Sequence, residues 1–361
     1  MTVPVVPDGA LGLYSAVGDA FAGRRLGFGG RRAALAARFA AHRRGDEATV
    51  AAVWVAGALA EAGLVDVVLT PDASQHARLF ALADAPLHGA RIVAALPGLP
   101  HAAADIVRWH REHDDGTGIP DRLRWDGIPV EAAALGIVHG FLEAIEDSEE
   151  PRGPDEALFT IVAESGRRYR IDLVRTFREF VTANPPRWDG PLNMTVPELD
   201  DEFALAALSA HIDARDPRGA GRSERLADLA GTLAGRLDLD PSRAGRLARL
   251  LALGHAADVI VHDDFDPLSR LARDRRDEVA RRASAIAASV PRYAADAPYL
   301  AASAAWYEEG DSNRLAAVLG LAVAVDALPP TDVVRRLGAA AGTQFDPDVT
   351  RVYLATVGAP T

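Results

Sequence analysis

The sequence contains no cysteine. Disulfides, thiolate zinc sites, iron–sulfur clusters and cysteine nucleophiles are excluded, so any metal must be held by His, Asp, Glu or water. Lysine is missing too, and all 39 basic residues are arginine. That removes Schiff-base chemistry, the phosphate-binding lysine of a P-loop and any Ser-x-x-Lys site. Positive charge is not in excess: the net charge is -12, which argues against a nucleic-acid polymer as partner. No basic segment precedes an apolar run at the N-terminus, so no signal peptide is expected. The longest unbroken apolar run near the C-terminus, Leu315 to Val325, has eleven residues and is too short to span a bilayer. The expectation is a cytoplasmic protein without a membrane partner.

What is present is the composition of a folded chain, 49% apolar and 25% charged, and 361 residues suit two domains. Most segments carry helical spacing. In RRAALAARFAAHRR, Leu35 and Phe39 sit four apart, and RSERLADLAGTLAGRL places Leu226, Leu229 and Leu233 on one face. Strand candidates are short, such as VDVVLT at Val65–Thr70. The fold is expected to be all-α. The stretch from Asn184 to Glu202 carries four prolines and a glycine and reads as a linker. The expected domains are 1–183 and 204–361, joined by 184–203. Acidic EDSEEPRGPDE, from Glu146 to Glu156, reads as an exposed loop.

The two halves share an order of features. LFTIVAESGRRYRIDLVRTF (158–177) aligns with VRRLGAAAGTQFDPDVTRVY (334–353) at an offset of 176, pairing Gly166 with Gly342 and Tyr169 with Phe345. Upstream, GGRRAALAARFA (29–40) aligns with AGRSERLADLAG (220–231), with Leu35 on Leu226. The reading is a tandem internal duplication.

These residues resemble HD-GYP domains. HIDARDPRGAGRSERLADLAGTLAGRLDLD (211–240) is similar to that family's opening helices, and GAAAGTQFDPDVTRVYL (338–354) to its closing ones. HREHDDGTGIPDRLRWDGIPVEAAALGIV, in the first half, is similar to the signature His-His-Glu-x-x-Asp-Gly-x-Gly-Tyr-Pro and the helix after it. The resemblance implies two helical domains and a metal-dependent phosphodiesterase that opens cyclic di-GMP, with bridged divalent ions making a hydroxide. Carried over residue by residue, it leaves most ligands behind. The family's early His falls on Arg31 and Arg222. The His-Asp pair falls near Ala60-Glu61 and Gly254-His255. The next His falls near Ala85, with His88 three residues on. Of the His-His pair His110 remains, with Arg111 in the second place. The late Asp falls near His139 or Gly140, and near Val323. Arginine has no lone pair to give a metal at any accessible pH.

Several polar groups remain to be weighed. His88, His101, His110, His113 and His139 are five of the ten histidines. His110 and His113, three apart, would share a helix face, and with Glu61, Asp114 or Asp115 could form a rearranged metal site. The alternative is surface or capping histidines. Asp115-Gly116-Thr117-Gly118-Ile119-Pro120 is turn chemistry, read either as a ligand or docking loop or as a structural turn. Arg31, Arg111 and Arg222 could hold a phosphate, or pair with acids such as Glu61 and Glu112. His255, His262, Asp263, Asp264 and Asp266 read as a helix cap and loop rather than a metal site. Tyr299, Trp306 and Tyr307 read as core or interface aromatics.

The expected function is a catalytically degenerate HD-GYP-like regulatory or scaffold protein, needing no cofactor, that binds a cyclic dinucleotide or a signalling domain and allows a homodimer. Arg31, Arg111, Asp115, Gly116, Gly118 and Pro120 are its candidate ligand residues. The alternative is a phosphohydrolase using a divalent Fe or Mn on Glu61, His110, His113 and His139.

Overall fold

The computed structural model describes residues 2–3, 7–68, 74, 81–146, 152–183, 192–197, 199–256, 266–310 and 313–358. The chain divides into two units, Met1–Asp200 and Asp201–Thr361. Residues 184–191 of the expected linker lie outside the described residues. Both units are helical, as the periodicity predicts. The first adds an antiparallel pairing of two-residue strands, Thr2–Val3 with Leu192–Asn193.

The first unit is built from α1 (Gly9–Phe21), α2 (Phe28–His42), α3 (Glu47–Leu59), α4 (Ala85–Ala95), α5 (His101–Trp109), α6 (Val130–Glu146), α7 (Pro154–Ala163) and α8 (Ile171–Ala183). Helix α3 is started by Asp46, whose carboxylate accepts from the Thr49 amide, and it is buried on nearly all sides from Val50 to Leu59. By length and composition the segment Glu47–Asp66 could cross a membrane, but 78% of its apolar window is buried inside the protein. Such all-round burial is that of a core helix. It packs on α2 so closely that a Cβ on Gly57 would meet the Cα of Ala33 at 2.6 Å. The expected strand at Val65–Thr70 begins instead in a short 3-10 turn, Ala62–Asp66, and residues 69–70 lie outside the described residues. The acidic loop's residues 147–151 do as well.

The second unit holds α9 (Asp201–Ala214), α10 (Arg222–Arg236), α11 (Pro241–Ala252), α12 (Arg270–Ala288), α13 (Ala297–Ala302), α14 (Arg314–Ala327), α15 (Val333–Ala340) and α16 (Pro347–Thr356). Of its candidate metal group, His262, Asp263 and Asp264 lie outside the described residues. Asp266 caps the turn to Leu268 and pairs with Arg336, the helix-end role expected of it.

Each unit repeats several local devices. Helices α2 and α10 both run for 15 residues, and each follows a left-handed glycine, Gly27 or Gly221. Ahead of them, Asp19 accepts from the Gly29 amide and Asp213 from the Ser223 amide. Asp46 and Asp240 cap the next helices in the same way. Near each end, Gly166 (φ 80°) and Gly342 (φ 82°) make the same bridge, donating to Tyr169 and Phe345 at 2.7 and 2.8 Å. The closing pairs keep the offset of 176 read from the sequence. The opening pairs sit at 194, as in Asp19 and Asp213, three residues from the alignment of Leu35 with Leu226. Three residues is nearly one helical turn. An Ala/Leu/Arg-rich helix looks alike after such a slip, so only the caps and the buried aspartates settle the register. At this offset Arg31 corresponds to Arg225, and Arg32 to Leu226.

Candidate functional site

The polar core of the first unit gathers on Glu61, two residues beyond α3. Its side chain is 2% exposed. Oε1 accepts from Arg24 Nε at 3.1 Å and Arg111 Nη2 at 3.4 Å, and Oε2 accepts from Arg32 Nη1 at 2.9 Å. Arg32, on α2 and 1% exposed, also donates through Nε to the Gly57 carbonyl at 2.7 Å. Glu143, one turn after His139 on α6, accepts from Arg24 at 2.6 Å and lies 3.0 Å from His139 Nε2. The rings of His110 and His139 stack at 5.5 Å. Phe28 floors the cluster, with the Arg24 guanidinium 4.4 Å from its ring centre.

Burial acts on Glu61, Asp19 and the two histidines. Alone it would raise the Glu61 carboxyl, but the guanidiniums, Arg32 foremost and then Arg24 and Arg111, hold it down at about 2. Asp19 goes the other way, raised to about 6 by burial against the pull of Arg32 and the Gly29 and Gly27 amides. His110 is lowered to about 3 by burial and then by Arg111. Burial and Arg32 push His139 well below its ordinary value, so both imidazoles are neutral at pH 7. The result is an ionic network in which Arg24, Arg32 and Arg111 are answered by Glu61 and Glu143, while the two Asp19 oxygens accept from the Gly27 and Gly29 amides.

The metal that an HD-GYP fold would imply does not fit these donors. Both oxygens of Glu61 are used by guanidiniums, and both nitrogens of His139 face partners, Glu143 and Arg32. His110 comes nearest to a ligand's posture. Its Nδ1 donates to the Val107 carbonyl at 2.7 Å, and its buried Nε2 has no partner. Asp114 Oδ1 is likewise buried without a partner, but among the described residues no three His, Asp or Glu side chains converge as a metal site would need.

Of the residues named from sequence, Glu61, His110, His139 and Arg111 therefore meet. His113 does not. Helix α5 ends at Trp109, and the chain turns, so His113 and His110 do not share a helix face as their spacing suggested. His113 is bonded instead to Thr117 within the loop. Arg31 points elsewhere, in a two-pronged pair with Glu146 at 2.9 and 2.8 Å. The loop is largely self-contained. Asp115 accepts from the Thr117 amide and hydroxyl, Gly116 takes φ 76°, and a Cβ on Gly118 would strike the backbone at Glu112 and His113. Among the described residues no arginine pairs with Glu112; its carboxylate accepts from the Asp121 and Leu123 amides just past Pro120. Sequence reading missed Arg24, Arg32, Asp19 and Glu143. The signal for Arg32 was there, since it stands three and seven residues before Leu35 and Phe39, on the apolar face.

Residues 22–173 match the model of the family described as "HD domain". A comparison with curated proteins found no match. Among solved structures, the chain is similar to a cyclic GMP-AMP specific phosphodiesterase of V. cholerae, with a TM-score of 0.67 and 15% identity. That likeness covers 100% of this chain and 99% of the other. At such low identity it speaks for the fold.

Proposed function

We propose that this protein, whose residues 22–173 match the model of the HD domain family, is a catalytically silent HD-GYP-like regulatory or scaffold protein. The observation that carries the reading is Glu61. It stands where the family's His-Asp pair falls, and guanidiniums hold both its oxygens. A guanidinium supplies the positive charge of a metal without its Lewis acidity or bound water, so the fold is kept while hydroxide generation is lost. The shared devices of the two units support their origin by duplication of one helical unit. The ligand class in this reading is a cyclic dinucleotide or a signalling domain, met by the Asp115–Pro120 loop, in a cytoplasmic protein that allows a homodimer. The named activity of the similar V. cholerae protein supports the cyclic dinucleotide.

One observation favours the second reading, a phosphohydrolase: the bare, buried Nε2 of His110. Elemental analysis of the purified protein, with turnover of cyclic dinucleotides in excess manganese or iron, separates the two. The silent reading expects no stoichiometric metal and no turnover. Bound metal with turnover that His110→Ala abolishes would overturn it.

A further inference from the structure

The second unit holds a cavity among its helices. It measures about 160 Å³ and is bounded by Leu226, Leu251 and Ala252 on α10 and α11, Val279 on α12, and Ala304 and Val323. Its origin can be traced to one position. Leu226 corresponds to Arg32, whose guanidinium fills the equivalent space of the first unit and bonds Gly57 and Glu61. Leucine ends short of that reach, and the partner positions have become Leu251 and His255. Where the first unit is polar and plugged, the second is largely apolar and open.

Its rim is cationic. Arg222, Arg275 and Arg276 reach it. Arg222 shares one carboxylate, Asp326, with Arg225 at 3.1 and 3.0 Å. Arg276 is half-buried and donates to the Pro267 carbonyl, and among the described residues no carboxylate pairs with it. Its charged neighbours are Arg222 and Arg273, which, after burial, lower its affinity for a proton. The carboxylate on the wall, Asp213, is turned to the Ser223 amide and hydroxyl at 2.6 and 2.7 Å. A half-buried guanidinium flanked by its own kind is costly unless an anion is supplied.

We propose that this cavity is a binding site for a small organic anion, its apolar body, about the size of one ring, among Leu226, Leu251 and Val323 and its carboxylate or phosphate group on Arg276 and Arg222. The volume suits that body, since an apolar cavity of roughly 150 Å³ takes benzene. The site stands independently of the silent reading of the first unit.

The test is calorimetric titration of the full chain with benzoate, phenyl phosphate, inorganic phosphate and benzyl alcohol. One molecule of benzoate or phenyl phosphate is expected per chain, bound about tenfold or more tightly than benzyl alcohol, as a charge-assisted hydrogen bond requires. The tighter of the two anions identifies carboxylate or phosphate as the natural head group. Arg276→Gln should weaken binding about tenfold, and Ala304→Leu, which fills the cavity, should abolish it. Equal binding of benzyl alcohol, equal binding of inorganic and phenyl phosphate, unchanged binding in folded Arg276→Gln, or no binding by any probe would each overturn the proposal.

Discussion

Glu61→Gln keeps the shape of the side chain and removes its charge. Glutamine cannot answer Arg24, Arg32 and Arg111, which leaves Arg32, 1% exposed, without a carboxylate. Two routes to the magnitude agree. The fall of the Glu61 carboxyl from 4.5 to about 2 corresponds to ~3 kcal/mol of preference for the ionised form in the folded state. Removing one partner of a buried ion pair costs about 3–5 kcal/mol in general, because the other charge stays buried. The expected loss is therefore ~3 kcal/mol at pH 7, a large part of the stability of an ordinary domain. Urea unfolding followed by tryptophan fluorescence would read it through Trp54, which is buried in the same unit. Glu224→Gln in the second unit is the control, because its pair with Arg249 is half exposed and should cost under ~1 kcal/mol. The pH dependence adds an independent check. A depressed carboxyl contributes stability that is present above 4.5 and lost as pH falls toward 2, so the gap between wild type and variant should shrink in acid. A loss below ~1 kcal/mol at pH 7, or a gap that widens in acid, would refute the idea that Glu61 is the anchor of the network.

The two neutral histidines predict an acid-labile first unit. With folded values lowered, to about 3 for His110, their stability is complete above pH 6.5 and falls by ~1.4 kcal/mol per pH unit per histidine below it. Asp19, raised to about 6, opposes one of them between pH 6 and 4, so His110→Gln should flatten the acid limb measured by urea unfolding. Gly57→Val should destabilise by more than the ~1–3 kcal/mol of ordinary overpacking, because the new side chain meets α2 backbone; a thermal melt would show it. Gly342→Ala should cost ~1–2 kcal/mol, as φ 82° demands, with Gly166→Ala similar in the first unit. Equal melts for wild type and both alanine variants would count against these turns as shared devices.

The helical class could be read from the sequence because a 3.6-residue apolar period survives any tertiary arrangement. The turn glycines were equally legible, since Gly166 and Gly342 sit in recognisable local settings. The register of the opening helices was not, because an Ala/Leu-rich helix matches itself after one turn. Nor was it visible that Arg31 turns to Glu146 while Arg32, one residue on, closes on Glu61. A step of about 100° around α2 separates a half-exposed ion pair from a buried anchor, and only packing against α3 and α6 decides which arginine turns inward. The same holds in reverse for Leu226. As a letter it is one more apolar helix residue, but in the folded second unit it stands where a guanidinium would fill the space and leaves a cavity open to arginines. Sequence determined which groups the chain owns and which chemistries it lacks. Tertiary structure decided which charges face one another out of water, because pairing energy depends on distance and burial that no linear spacing encodes.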